Sequence, residues 1–218
     1  MGAIMVPLNP ASLVKRKKHL AILLDKLPKH PSPSATLEQY VIPGGKAAEI
    51  LWLIDRVYRD VRGKVIVDLG CGTGRLALGS VMLGADYVIG VDVDLVALKI
   101  ALKSAETLGL REATSWVQAE ISRLNLRGVD VVIQNPPFGV QQRHADRTFL
   151  KKAVELAPII YSLHKSGEGN RAFIRKYVES LKAKPVLVKE LRLELPPIFN
   201  FHRERRHRVD VDLWRIER

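Results

Sequence analysis

The stretch at residues 65–74, Val-Ile-Val-Asp-Leu-Gly-Cys-Gly-Thr-Gly, constrains this chain more than any other. Val65, Ile66 and Val67 form a β-branched run suited to a buried strand, and Asp68 closes it. Gly70, Gly72 and Gly74 then make a turn almost free of side-chain bulk. Arg75 to Leu83 reads as the helix that follows. A strand, a glycine turn and a helix start leave backbone that a ligand can approach closely.

The rest of the chain repeats the alternation. Residues 12–27 place Leu13, Leu20, Leu23, Leu24 and Leu27 near one helical face, and Pro28, Pro31 and Pro33 end that helix in a short linker. A second helix runs from about Lys46 to Tyr58, with Ala47, Ile50, Leu51, Ile54 and Val57 at helical spacing. Further strands are expected at 87–91, 115–118, 129–133, 159–163, 186–195 and 208–216. Further helices are expected at 95–108, 148–156 and 167–181. This order implies an α/β fold: a Rossmann-like, doubly wound, mostly parallel seven-stranded sheet. Arg208 to Ile216 alternates polar and apolar residues, as expected of a half-buried antiparallel C-terminal edge strand.

In such a sheet ligands bind beyond the carboxyl ends of the strands, where Asp68, Asp92, Glu120 and Asn135 fall. A dinucleotide fingerprint is G-x-G-x-x-G, whereas Gly70, Gly72 and Gly74 give G-x-G-x-G with a carboxylate just before the turn. That carboxylate suits a cationic or hydroxyl-bearing ligand better than a phosphate. S-adenosylmethionine, with its amine and sulfonium, meets the description. Asp92 can accept from ribose hydroxyls, a role that does not separate this ligand from NAD, and Asp94 reads as a helix N-cap. Glu120 can accept from an adenine amine; its bland reading is a surface carboxylate.

Asn135-Pro136-Pro137-Phe138 is the sharpest chemical signal. Two prolines fix the backbone and remove two N–H donors, leaving carbonyl acceptors. Asn135 adds a side-chain carbonyl, and Phe138 a flat stacking face. Acceptors beside an aromatic face suit a planar group bearing an amine. Held by Asn135 Oδ1 and the Pro136 carbonyl, such an amine can aim its lone pair at a sulfonium methyl, by positioning and electrostatics with no metal.

Charge adds a partner. Lys plus Arg number 35 against 23 Asp plus Glu, a net +12, which favours a polyanion such as nucleic acid; a charged, solubilising surface is the alternative. Lys15 to Lys18 read as a solvated helix face, with phosphate contact the sharper alternative. Arg203, Arg205 and Arg206, in a basic run between the last two strands, are candidate phosphate contacts, and Arg143 and His144 can flank a base pocket. The single cysteine, Cys71, excludes an intrachain disulfide and a cysteine-based zinc site. With no membrane-length apolar run and no signal-peptide pattern, cytoplasmic residence is expected.

The combination resembles a family. Asp68 to Gly74 and Asn135 to Phe138 are similar to class I S-adenosylmethionine-dependent methyltransferases acting on amino groups. Leu37-Glu38-Gln39-Tyr40, Phe138-Gly139, Asp146 with Phe149-Leu150, and Tyr161-Ser-Leu-His-Lys-Ser166 resemble the RNA N6-adenine methyltransferase family that contains methyltransferase-like protein five and its archaeal relatives. The resemblance covers about residues 36–200 and implies one methyltransferase domain, 1–218, with an N-terminal helical extension over about 1–35. It implies donor contacts at Gln39, Tyr40, Asp68, Gly70, Gly72, Thr73, Asp92, Glu120, Ile121 and Asn135. It implies catalysis at Asn135, Pro136, Pro137 and Phe138, with S-adenosylhomocysteine as by-product and adenosine in small-subunit ribosomal RNA as target. Two positions depart from the family: Val41-Ile42 replaces a common Pro-Thr pair, losing a hydroxyl at Ile42, and Glu120 replaces the commoner Asp. Eukaryotic members use a small zinc-binding activator subunit, and whether this chain does is open. The rivals are methylation of guanine N2 or a protein glutamine amide, a non-catalytic RNA-binding or ribosome-assembly protein, and, weakest, a nicotinamide dehydrogenase.

Overall fold

The computed structural model describes residues 14–34, 41–137, 145–195 and 207–218. Seven strands form one sheet: β1 (Val65–Leu69), β2 (Tyr87–Asp92), β3 (Thr114–Gln118), β4 (Val131–Gln134), β5 (Ile159–Lys165), β6 (Lys184–Leu195) and β7 (His207–Glu217). Their spatial order is β3-β2-β1-β4-β5-β7-β6. β1 to β5 pair in parallel, and β7 pairs antiparallel with both β5 and β6. The helices are α1 (Lys17–Asp25), α2 (Gly44–Arg56), α3 (Arg75–Leu83), α4 (Leu95–Thr107), α5 (Ala145–Leu156) and α6 (Glu168–Ser180).

Helices cover both faces, so the central strands are apolar on both. Ile66, Val88, Val131 and Ile133 pack with Leu20, Leu24, Ile50, Leu51, Ile54 and Leu78 of α1 to α3. Their strand neighbours Val67, Leu69, Val91 and Val132 pack on the other face with Leu150 and Ala153 of α5 and Ile174 and Val178 of α6. α1 is only nine residues long, too short to persist alone in water. Burying Leu20 and Leu24 completely, about 1.5–3 kcal/mol each, is what docks it. Lys15, Arg16, Lys17 and Lys18 are all exposed, as a solvated face requires.

Three expectations need correction. The C-terminal strand is not an edge: β7 lies between β5 and β6, and β6 is the edge. Nor is it half-buried, because Asp212 is 0% and Trp214 1% exposed. Asp212 tolerates this position by accepting from Arg171 Nε at 2.7 Å and from Ser166 Oγ at 2.6 Å. Val57 is 64% exposed, since α2 ends at Arg56 and Val57 follows it as the C-cap. The expected start of the first helix, and Leu13, lie outside the described residues.

Register sets the site. Leu69 is level with Val91 of β2 and with Gln134 of β4. The next residues in each strand path, Gly70, Asp92 and Asn135, therefore emerge together at one rim of the sheet.

Candidate active site

The glycine turn is fastened to the sheet by its own backbone. Gly70 and Cys71 N–H both donate to the Val91 carbonyl, at 2.8 and 3.0 Å. Gly70, Gly72 and Gly74 all have left-handed φ, +71°, +53° and +81°, which side chains disfavour. Gly74 has a second reason: a Cβ there would stand 2.6 Å from the Trp116 ring. α3 begins directly after the turn, and Asp68 serves its first turn from a distance, Oδ2 accepting from Ala77 N–H at 2.9 Å.

Beside the turn is a cavity of about 410 Å³, within the range of small-ligand sites. Asp68, Gly70, Gly72, Thr73, Asp92, Glu120, Ile121, Asn135 and Pro137 line it. Asp92 is already engaged: Oδ2 accepts from Gly72 N–H at 2.8 Å and Oδ1 from Asp94 N–H at 2.9 Å. A carboxylate oxygen takes more than one hydrogen bond, so Asp92 ties down the turn and retains acceptor capacity for a ligand hydroxyl. Asp94 is the N-cap of α4, accepting from Val96 and Ala97 N–H. Glu120 is exposed on the rim beside Arg123, 3.1 Å away.

Burial dominates the electrostatics. It pushes the Asp68 carboxyl up to about 7; the Ala77 N–H opposes that rise and the charge of Asp92 adds to it. Burial also raises Asp92, against the N–H groups of Asp94 and Gly72. The Cys71 thiol is pushed well above its ordinary value by burial and by the same two acids, so it is a neutral packing group and not a nucleophile. Two carboxylates that resist ionisation when unpaired make a site suited to a cationic, hydroxyl-bearing ligand.

Asn135 is half-buried, and its Oδ1 is enclosed without a hydrogen-bond partner among the described residues. Beneath it the Tyr161–Ser166 segment gains a structural role. Gln134 Nε2 donates to Ser162 Oγ at 2.9 Å, and Ser162 Oγ lies 2.7 Å from His164 Nε2. Ser162 Oγ accepts from Gln134, and burial pushes the His164 imidazole down to about 3 and keeps it neutral. This buried chain braces the strand residue that precedes Asn135.

Other residues in the cavity wall carried no donor-binding expectation, among them His30, Thr148, Phe149 and Arg75. His30 reaches it from the linker after α1, its Nε2 3.1 Å from Asp94 Oδ2. Thr148 and Phe149 come from α5, and a Cβ on Gly70 would lie 3.1 Å from the Phe149 ring. Arg75, the first residue of α3, is 6% exposed. None has a local signature, because each enters by tertiary packing; Phe149 was marked by the resemblance alone. Gln39, Tyr40, Phe138, Arg143, His144, Arg203, Arg205 and Arg206 lie outside the described residues. Among those described, no helix is long and apolar enough to cross a membrane.

Proteins similar to this chain are methyltransferases. The family model for ribosomal protein L11 methyltransferase (PrmA) matches residues 48–136. The rRNA N(6)-adenosine-methyltransferase METTL5 of Danio rerio is 32% identical over 204 residues, covering 91% of this chain and 97% of that protein. The crystal structure of PH1948 from Pyrococcus horikoshii superposes with a TM-score of 0.87 at 40% identity, covering 94% of this chain and 98% of the other. Magnesium protoporphyrin IX methyltransferase (ChlM) from Synechocystis PCC 6803, solved with bound SAM, shares the fold at 16% identity, with a TM-score of 0.60 over 79% of this chain and 78% of its own. The chain therefore belongs to the METTL5 family of rRNA N(6)-adenosine-methyltransferases.

Proposed function

We propose that this protein transfers a methyl group from S-adenosylmethionine to the 6-amino group of an adenosine in structured RNA, with small-subunit ribosomal RNA as the substrate. The observation that carries the reading is the single cavity that joins the glycine turn, Asp68 and Asp92 to Asn135 and Pro137. The donor, when bound, supplies an electrophilic methyl on a sulfonium. Asp92 accepts from its ribose hydroxyls, and Glu120 and Ile121 form the wall at the adenine end. Asp68 compensates cationic charge near the turn. Asn135 Oδ1, enclosed and without a partner among the described residues, accepts one N–H of the target amine, and the Pro136 carbonyl accepts the other. Both bonds orient the nitrogen lone pair, and Phe138 stacks on the base. RNA supplies such a base where it is unpaired or flipped from its stack.

The similarity to the L11 enzyme model ends at Pro136, after the donor half of the sheet. It therefore takes in the glycine turn together with Asn135 and Pro136, and stops short of Phe138. Ribosomal RNA as substrate implies residence in the cytoplasm, and a small zinc-binding subunit is the partner to seek by co-purification.

The test is nucleoside analysis of ribosomal RNA after incubation with isotope-labelled donor. N6-methyladenosine is expected as the labelled product. N2-methylguanosine, or label only in protein, would replace this reading. Asn135→Ala should lower turnover by about 10²–10³ while donor affinity changes little, since it removes one positioned acceptor.

A further inference from the structure

The cavity wall carries acids at the strand tips, Asp68, Asp92 and Glu120, but also one buried guanidinium. Arg75 is 6% exposed, and its bonds go to backbone carbonyls: Nη1 donates to Ile42 O at 2.6 Å and Nη2 to Leu27 O at 3.4 Å. Its Nε–H is enclosed with no partner among the described residues. Among the described residues Arg75 makes no ion pair. Asp25 acts on it through space but does not contact it, and Asp25 Oδ1 accepts the Gly44 N–H at 2.6 Å. Burial accordingly pulls the guanidinium below its ordinary value.

A buried cation without a contacting carboxylate is costly, and two carbonyls alone do not require one. A neutral donor could hold Leu27 and Ile42 in place. The charge is accounted for if its counter-ion arrives with the ligand. His30 does not compete for that role, because its Nε2 stands against Asp94.

We infer that Arg75 is the binding residue for the carboxylate of the methyl donor, so that the amino-acid end of the donor lies against the segment at Leu27 and Ile42 and the adenosine end at Asp92 and Glu120. The inference rests on reading the cavity as the donor site. It also gives Arg75 a coupling role: the guanidinium that meets the carboxylate holds the N-terminal segment against the cavity, so donor binding tightens that segment.

The test is calorimetric binding of two probes, S-adenosylmethionine and its decarboxylated form, to the full chain and to Arg75→Met. The wild-type protein should prefer the carboxylate-bearing probe by about 10- to 100-fold, the range for a hydrogen-bonded charge pair. Arg75→Met should abolish the preference, by weakening S-adenosylmethionine about 10- to 100-fold more than the decarboxylated probe. Equal weakening of both probes would make Arg75 a scaffold only and overturn the inference. The wild-type comparison decides even if the variant does not fold: no preference between two probes that both bind overturns the role of Arg75 alone. Binding of neither probe would instead overturn the donor-site reading.

Discussion

Asp68 serves two purposes with one carboxylate: it caps α3 through Ala77 and forms the cavity wall. The two purposes pull its protonation in opposite directions. Burial sets its native value at about 7 against an ordinary 3.8. The empty native state therefore binds more protons than the unfolded chain between about pH 4 and pH 7. Stability from this residue is full below that window and is lost as pH rises through it. Denaturant midpoints should show this fall in the wild type and a smaller one in Asp68→Asn. A cationic donor reverses the preference by favouring the carboxylate. Donor binding near pH 6.5 should release protons, seen as a dependence of binding enthalpy on buffer, and Asp68→Asn should release fewer. Unchanged release in that variant would assign it to Asp92, which burial also raises.

Among the elements, the α1–α2 junction governs how the N-terminal segment meets the site. Gly44 opens α2 where α1 ends: its N–H reaches Asp25 Oδ1 at 2.6 Å, and an added Cβ would lie 2.5 Å from the Asp25 backbone nitrogen. A backbone atom cannot rotate aside, so Gly44→Ala must push the helices apart. The expected cost is about 1–3 kcal/mol, a drop of roughly 2–4 °C in Tm per kcal/mol for a chain of this size. Because Leu27 and Ile42 both bond Arg75, the same variant should also weaken donor binding. A stability loss with unchanged donor affinity would separate the junction from the site. The glycines at this helix start already implied a close backbone approach, and the structure identifies the neighbour of Gly44 as Asp25.

For the whole molecule, the net charge of +12 governs the encounter with RNA. Affinity for an RNA fragment should fall linearly on a log–log plot against salt, with a slope of about −0.7 per phosphate contact on single strands. Affinity for the donor, which brings no run of phosphates, should change far less across the same range. A flat RNA plot would mean that the basic surface serves solubility alone. The topology carries a matching lesson at this scale. Seven strands and their order in the chain follow from local apolar runs, but the place of β7 between β5 and β6 does not. That insertion buries Asp212, which its alternating neighbours had marked as solvent-facing, and Arg171 then becomes necessary to it.

The amino-acid sequence by itself determined the α/β alternation, the glycine turn, the acids at the strand tips and the Asn135-Pro136-Pro137 motif. Each is written in neighbouring residues, as a period, a missing side chain or a fixed backbone angle. Only the tertiary structure decided that Arg75, His30, Thr148 and Phe149 join them around one cavity, and which polar atoms there have no partner among the described residues. The physical reason is that burial and charge pairing depend on segments brought together across the chain: Arg75 meets Leu27 and Ile42, 48 and 33 residues away, only after α1 and α2 have packed on α3.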